Sequence, residues 1–199
     1  MNSVSSDPAR RLWTGMLTWR AQDVSRMESV RIQVSGKRIR ANGRIVAAAT
    51  ASNPAFGAFY DLQTDETGAT KRFGLTVTLA ERERQLAIAR DEENMWLVTD
   101  HQGESRAGYN GALDIDLVFS SFFNALPIRR LGIHERAEMI TLPMVYVNVP
   151  EMSVDAATVS YSSEGRLDGI KLRSPVADTT VTVDDEGFIL DYPGLAERI

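Results

Sequence analysis

The stretch Phe73-Gly74-Leu75-Thr76-Val77-Thr78-Leu79 sets an apolar side chain at every second position, with small or hydroxylated residues between. A period of two is the geometry of an extended strand, whose successive side chains leave opposite faces, whereas a helix needs apolar residues three and four apart. The same alternation returns at Val30, Ile32 and Val34, at Leu113, Ile115 and Leu117, and at Val181 and Val183. Turn signals that include glycine stand at Asn42-Gly43, Asp65-Glu66-Thr67-Gly68, Ser163-Glu164-Gly165 and Asp185-Glu186-Gly187, so the connections read as hairpins. Further strands are expected over 12–20, 39–49, 56–63, 85–90, 95–100, 140–147, 158–162, 167–173 and 188–192. The fold class is all-β and mainly antiparallel: a meander of about a dozen strands that closes on itself or stacks as two layers to hide its edges.

Two segments depart from this pattern. Residues 81–94 are charged enough for a solvated helix, but Leu86 and Ile88 keep strand spacing, which favours a strand. Val118, Phe119, Phe122, Phe123 and Leu126 form a helical face, and Pro127 is expected to end that one short helix.

The chain has 199 residues, 43% of them hydrophobic, enough for one substantial core. A single domain is expected over 11–195, with residues 1–10 and 196–199 as mobile termini. A net charge of −5 and a pI near 5.1 argue against nucleic acid, whose phosphates call for a basic stripe. The polar start, with no apolar run before Trp13, predicts no secretory signal and a cytoplasmic protein. No run approaches the roughly 20 apolar residues of a membrane-spanning helix. Without cysteine there is no disulfide, thiolate zinc site or thiol nucleophile.

Few residues suggest chemistry. Asp114 and Asp116 leave one face of a strand about 7 Å apart. They would share a cation, accept sugar hydroxyls or divide acid and base roles if burial split their pKa values; otherwise they face water. Arg129 and Arg130, on an extended chain, would point to opposite faces, so at most one meets the aspartates, binding an anionic group or forming a structural ion pair. Asn124, at the end of the expected helix, either caps backbone groups or holds a polar ligand. His101 and His134 match no ligand or triad pattern and read as surface or turn residues. No Gly-x-Ser-x-Gly elbow, phosphate-cradling loop or calcium-loop spacing occurs, so no metal, no cofactor and no enzyme activity is expected. Trp13, Trp19, Trp96, Phe56, Phe59, Tyr60, Tyr146 and Tyr161 would line a cavity or fill a solid core.

Leu113-Asp-Ile-Asp-Leu117 and Phe122-Phe-Asn-Ala-Leu-Pro-Ile-Arg-Arg-Leu131 resemble the signature of the Putative glycolipid-binding family, once called a domain of unknown function. That signature reads Asp-x-Asp-Leu and then Pro-Phe-Thr-Asn-Thr-Leu-Pro-Ile-Arg-Arg-Leu. Ser121 stands in place of its proline, and Phe123 and Ala125 in place of its threonines. Weaker agreement lies at Trp19, Glu28, Tyr60, Arg72, Tyr146-Val-x-Val-Pro150, Asp184-x-x-Gly187 and Asp191-Tyr-Pro193. The resemblance implies a large antiparallel barrel or half-barrel akin to bacterial lipoprotein carriers. It also implies a non-enzymatic carrier or sensor of lipid or glycolipid, whose lumen supplies affinity. Asp114, Asp116, Asn124 and Arg129 or Arg130 would then hold the head group. Two other function classes stay open: an enzyme using the two carboxylates on a glycoside or small polar substrate, and an interaction module without a small ligand.

Overall fold

The computed structural model describes residues 12–165 and 169–199. The first eight strands are β1 (Leu12–Ala21), β2 (Arg26–Ser35), β3 (Arg38–Ala47), β4 (Phe56–Thr64), β5 (Thr70–Thr78), β6 (Glu83–Arg90), β7 (Trp96–Asp100) and β8 (Gly103–Ala107). After a single 3-10 turn at Tyr109–Gly111 come β9 (Asp114–Leu117), the helix α1 (Ala125–Leu131), β10 (Ala137–Val147) and β11 (Val154–Glu164). The chain ends with β12 (Ile170–Arg173), β13 (Asp178–Val183), β14 (Ile189–Tyr192) and β15 (Ala196–Arg198).

All fifteen strands join one open sheet in the order β8-β7-β6-β5-β4-β3-β2-β1-β15-β14-β13-β12-β11-β10-β9. It is a half-barrel made of two meanders that meet where β1 pairs with β15. Residues 196–199 are expected to be mobile, but 196–198 are strand, with Trp19 opposite Arg198, and the Ile199 N–H donates to the Thr18 carbonyl. Residues 1–10 and the start of the expected 167–173 strand lie outside the described residues.

The curl follows from chain length. Fifteen strands about 4.8 Å apart would span roughly 67 Å if laid flat. Yet the two edge strands, β8 and β9, are joined through residues 108–113 alone, a link that reaches about 25 Å at most. Hydrogen bonds reinforce the seam: the Trp96 side-chain Nε1 donates to the Ala112 carbonyl at 2.9 Å, and the Thr70 backbone N–H to the Leu113 carbonyl at 2.9 Å.

The inner side is filled. Ring centroids of Tyr60 and Phe73 lie 5.1 and 5.5 Å from that of Phe123, and Phe122 stacks on Phe188 at 6.3 Å. A second apolar cluster, with Ile128, Met144, Tyr161 and Val181, lies between α1 and the C-terminal meander. Trp19, Trp96, Tyr60 and Tyr161 are core residues, Phe59 is exposed, and Tyr146 lines a cavity.

Two sequence expectations need correction here. Asn42-Gly43 is no turn but the middle of β3, where a side chain on Gly43 would start 2.1 Å from the Tyr60 ring. The hairpin instead turns at Gly36-Lys37, between the paired Ser35 and Arg38, with Gly36 at φ +60°. Pro127 does not end the helix; it sits in its first turn, where a missing N–H leaves no intrahelical bond unmade. Residues 118–124 are a loop, and their aromatic side chains enter the core without a helix.

Candidate functional site

Strand β9 runs parallel to β10, and the helix-bearing crossover between them is what a parallel pair requires. Its alternation sends Ile115 and Leu117 into the main core and both aspartates to the opposite face, beside Met144 and Tyr146. Both aspartates are buried, Asp114 at 1% and Asp116 at 7% exposure.

The two carboxylates have different surroundings. Arg130 grips Asp114 with Nη2 2.5 Å and Nε 3.3 Å from its oxygens. Burial raises the Asp114 pKa, and the guanidinium beside it opposes that rise. Asp116 accepts no hydrogen bond from any described residue, and burial alone pushes its pKa up to about 7. It lines a cavity of about 440 Å³ together with Asn124, Tyr146, Tyr192, Arg26 and Phe119.

The other polar groups of the cavity are partly committed. Asn124 precedes α1 without capping it; its Oδ1 accepts the Tyr161 hydroxyl at 3.0 Å. Tyr146, directly across from Asp116, has a buried hydroxyl with no partner, and burial lifts its pKa to about 12. The Arg26 guanidinium lies 4.4 Å above the Phe119 ring, which stacks in turn on Phe56. Burial lowers the Arg26 pKa, and the nearby Glu28 charge works the other way.

The arginine pair lies on the last turn of α1, not on an extended chain. Arg130 goes to Asp114, while Arg129 reaches the Glu186 carbonyl and carboxylate and stacks 4.6 Å over Phe188. Asp116 and Asn124 thus share the cavity, Asp114 and Arg130 brace the strand behind it, and Arg129 faces a separate depression.

A family model described as Putative glycolipid-binding matches residues 16–198. The chain belongs to that family. A similar solved structure is the crystal structure of a DUF1089 family protein from Pseudomonas aeruginosa, 22% identical, with a TM-score of 0.70 over 94% of this chain and 97% of that one. At that identity the likeness speaks for the fold. No curated protein matches the chain.

In this member of the Putative glycolipid-binding family, sequence reasoning gave Glu28 and Tyr192 a place in the family resemblance but no site role, and Arg26 neither. Glu28 is 3% exposed, and its carboxylate accepts the Tyr60 hydroxyl at 2.7 Å, the Ser120 hydroxyl, and the N–H groups of Ser121 and Phe122 at 2.8 and 3.4 Å. It holds the loop that carries Phe119 and Asn124. The signal was present: Glu28 continues the inward row of Val30, Ile32 and Val34, so a charge there had to be buried. His134 lies in the turn after α1, as the turn reading has it, and is buried at 5% exposure; His101 is an exposed turn residue. Among the described residues no cluster of three or more His, Asp or Glu could hold a metal ion, and no helix is long and apolar enough to cross a membrane.

The unpaired carboxylate makes stability depend on pH. Asp116 holds its proton up to about pH 7 when folded, but only to about pH 4 in the unfolded chain. Between those values the folded state binds the extra proton, so stability falls as pH rises through that window. Asp116→Asn removes the ionisation and should stabilise the protein at about pH 8 by about 2 kcal/mol, allowing for water entering from the cavity. Chemical denaturation of both proteins across the pH range checks this; parallel pH profiles would refute it.

Proposed function

We propose that the protein is a non-enzymatic lipid- or glycolipid-binding protein, a carrier or sensor, with its ligand seated in the Asp116 cavity. One observation carries the reading: the buried Tyr146 hydroxyl, which has no partner, and the Asp116 carboxylate, which accepts no hydrogen bond from the described residues and opens on the cavity, share it with apolar walls from Val118, Phe119, Val176 and Leu195. Its volume of about 440 Å³ falls in the range of roughly 300–1,000 Å³ typical of small-molecule sites. That is room for a head group and a short apolar stretch, and the exposed Val24 and Val176 at its edge extend the apolar path outward.

The energetics favour an amphiphile. Burying about six methylenes contributes roughly 5 kcal/mol, and a hydrogen bond to a charged group roughly 1.5–3. The filled half-barrel moves the apolar contact from the lumen to this lateral cavity. Carboxylate-pair catalysis has less support, because Asp114 is held by Arg130 and does not line the cavity.

Native mass spectrometry of protein purified without detergent, followed by solvent extraction, tests the reading. A stoichiometric mass that extracts as a lipid is expected, and it should diminish in Val118→Glu. Bare protein that also fails to take up any added amphiphile would overturn it.

A further inference from the structure

The polar half of the cavity has an unbalanced charge. Asp23, Asp116 and Asp178 line it, and among its lining residues Arg26 is the sole cation; Asp178 is paired with Arg173 at 2.8 Å, so the uncompensated acids are Asp23 and Asp116. Arg26 is already engaged: it stacks on Phe119, donates to the Leu195 carbonyl at 3.4 Å, and has Glu28 as its nearby countercharge. Asp116 has no countercharge of its own, since the neighbouring guanidinium of Arg130 is spent on Asp114.

Hydrogen-bonding capacity points the same way. A carboxylate offers two acceptor oxygens with about four lone-pair sites, and those of Asp116 receive nothing from the described residues. The Tyr146 hydroxyl beside it can donate and accept and does neither. Asn124 spends its oxygen on Tyr161, which leaves its amide N–H groups as donors. One strong acceptor, one group of either kind and one donor are the complement of adjacent hydroxyls. A phosphate, which only accepts, would place its charge against Asp116.

Resting on the amphiphile reading above, we propose that this cavity selects a head group that donates hydrogen bonds and carries no negative charge. A neutral sugar satisfies all three partners and an amine satisfies Asp116, whereas phosphate, sulfate and carboxylate head groups are rejected. Rejection comes from leaving a buried carboxylate facing another anion, a penalty no tail contact removes selectively.

Matched probes test this: decyl glucoside and decyl phosphate share a tail and differ in the head. Their affinities for the whole chain are measured by calorimetry below micelle-forming concentrations at about pH 8.5, where Asp116 is ionised. The glucoside should bind at least about tenfold more tightly. In Asp116→Asn that preference should shrink to about threefold or less, chiefly because the phosphate gains affinity. Tyr146→Phe should weaken the glucoside and leave the phosphate unchanged. Equal or tighter phosphate binding by the unaltered protein, or a preference that Asp116→Asn does not move, overturns the head-group assignment alone. Saturable binding of neither probe overturns the amphiphile reading with it.

Discussion

Glu28→Ala is expected to lower the melting temperature by about 8–16 °C, the equivalent of about 4 kcal/mol in a domain of this length. The Glu28 carboxylate takes four hydrogen bonds, three from residues 120–122 and one from Tyr60. Truncation leaves the Tyr60 and Ser120 hydroxyls and the Ser121 N–H without that acceptor, each at a cost of about 1–3 kcal/mol before the loop relaxes or water enters, while the Phe122 N–H keeps the Ser120 hydroxyl at 3.2 Å. The loss reaches further than the loop, because Tyr60 packs against Phe73, Phe122 and Phe123. Glu28→Gln keeps part of the acceptor set and should fall between wild type and alanine. Tyr60→Phe removes one bond and should cost about 1–2 kcal/mol. Thermal melts of the three variants in this order check the network; an alanine variant melting within about 2 °C of wild type would sink it.

Asp114→Asn should destabilise the fold by about 3–5 kcal/mol, because it strands a guanidinium whose side chain is 11% exposed. The ion pair belongs to the seam: Arg90 and Asp65 form a second pair at 2.6 Å beside it, and Arg90 Nε donates to the Thr70 carbonyl. The double variant Asp114→Leu with Arg130→Met should regain most of the loss, since replacing both members of a buried pair with apolar groups is close to neutral. Ligand affinity measured on the double variant should stay near that of the unaltered protein. A single Asp114→Asn change that leaves stability intact while abolishing binding would move this pair from scaffold to site.

The contrast between the two aspartates bounds what the sequence could reveal. Alternation identified β2, β5 and β13 and put both carboxylates on one face, because a period of two is local information. It could not show that Arg130 reaches one and nothing reaches the other, for that depends on Arg130 lying on a helix rather than an extended chain. Pro127 carried the same signal as a helix stop and as a first-turn residue. Asn42-Gly43 looked like any hairpin turn, and only the ring of Tyr60, seventeen positions after Gly43, explains the missing side chain there. The three-residue strand Ala196–Arg198 has too few positions to alternate, so its place in the sheet was invisible. The cavity draws on β2, β9, β10, β13, β14 and the residue before α1. The strong part of the sequence motif covers Asp116 and Asn124, its weaker part touches Tyr192 without a role, and Arg26 is left to tertiary structure.

The junction of β1 with β15 also sets the order in which the molecule can be made. Trp19 and Arg198 are partners separated by almost the whole chain, and Trp19 Nε1 donates to the Ile189 carbonyl. Closing a loop of that size is slow relative to the hairpins on either side, each of which joins near neighbours. The two meanders are therefore expected to form before they dock. A chain emerging from the ribosome keeps the free edge of β1 unpaired until residues 196–198 have emerged, and over that interval self-association competes most directly with folding.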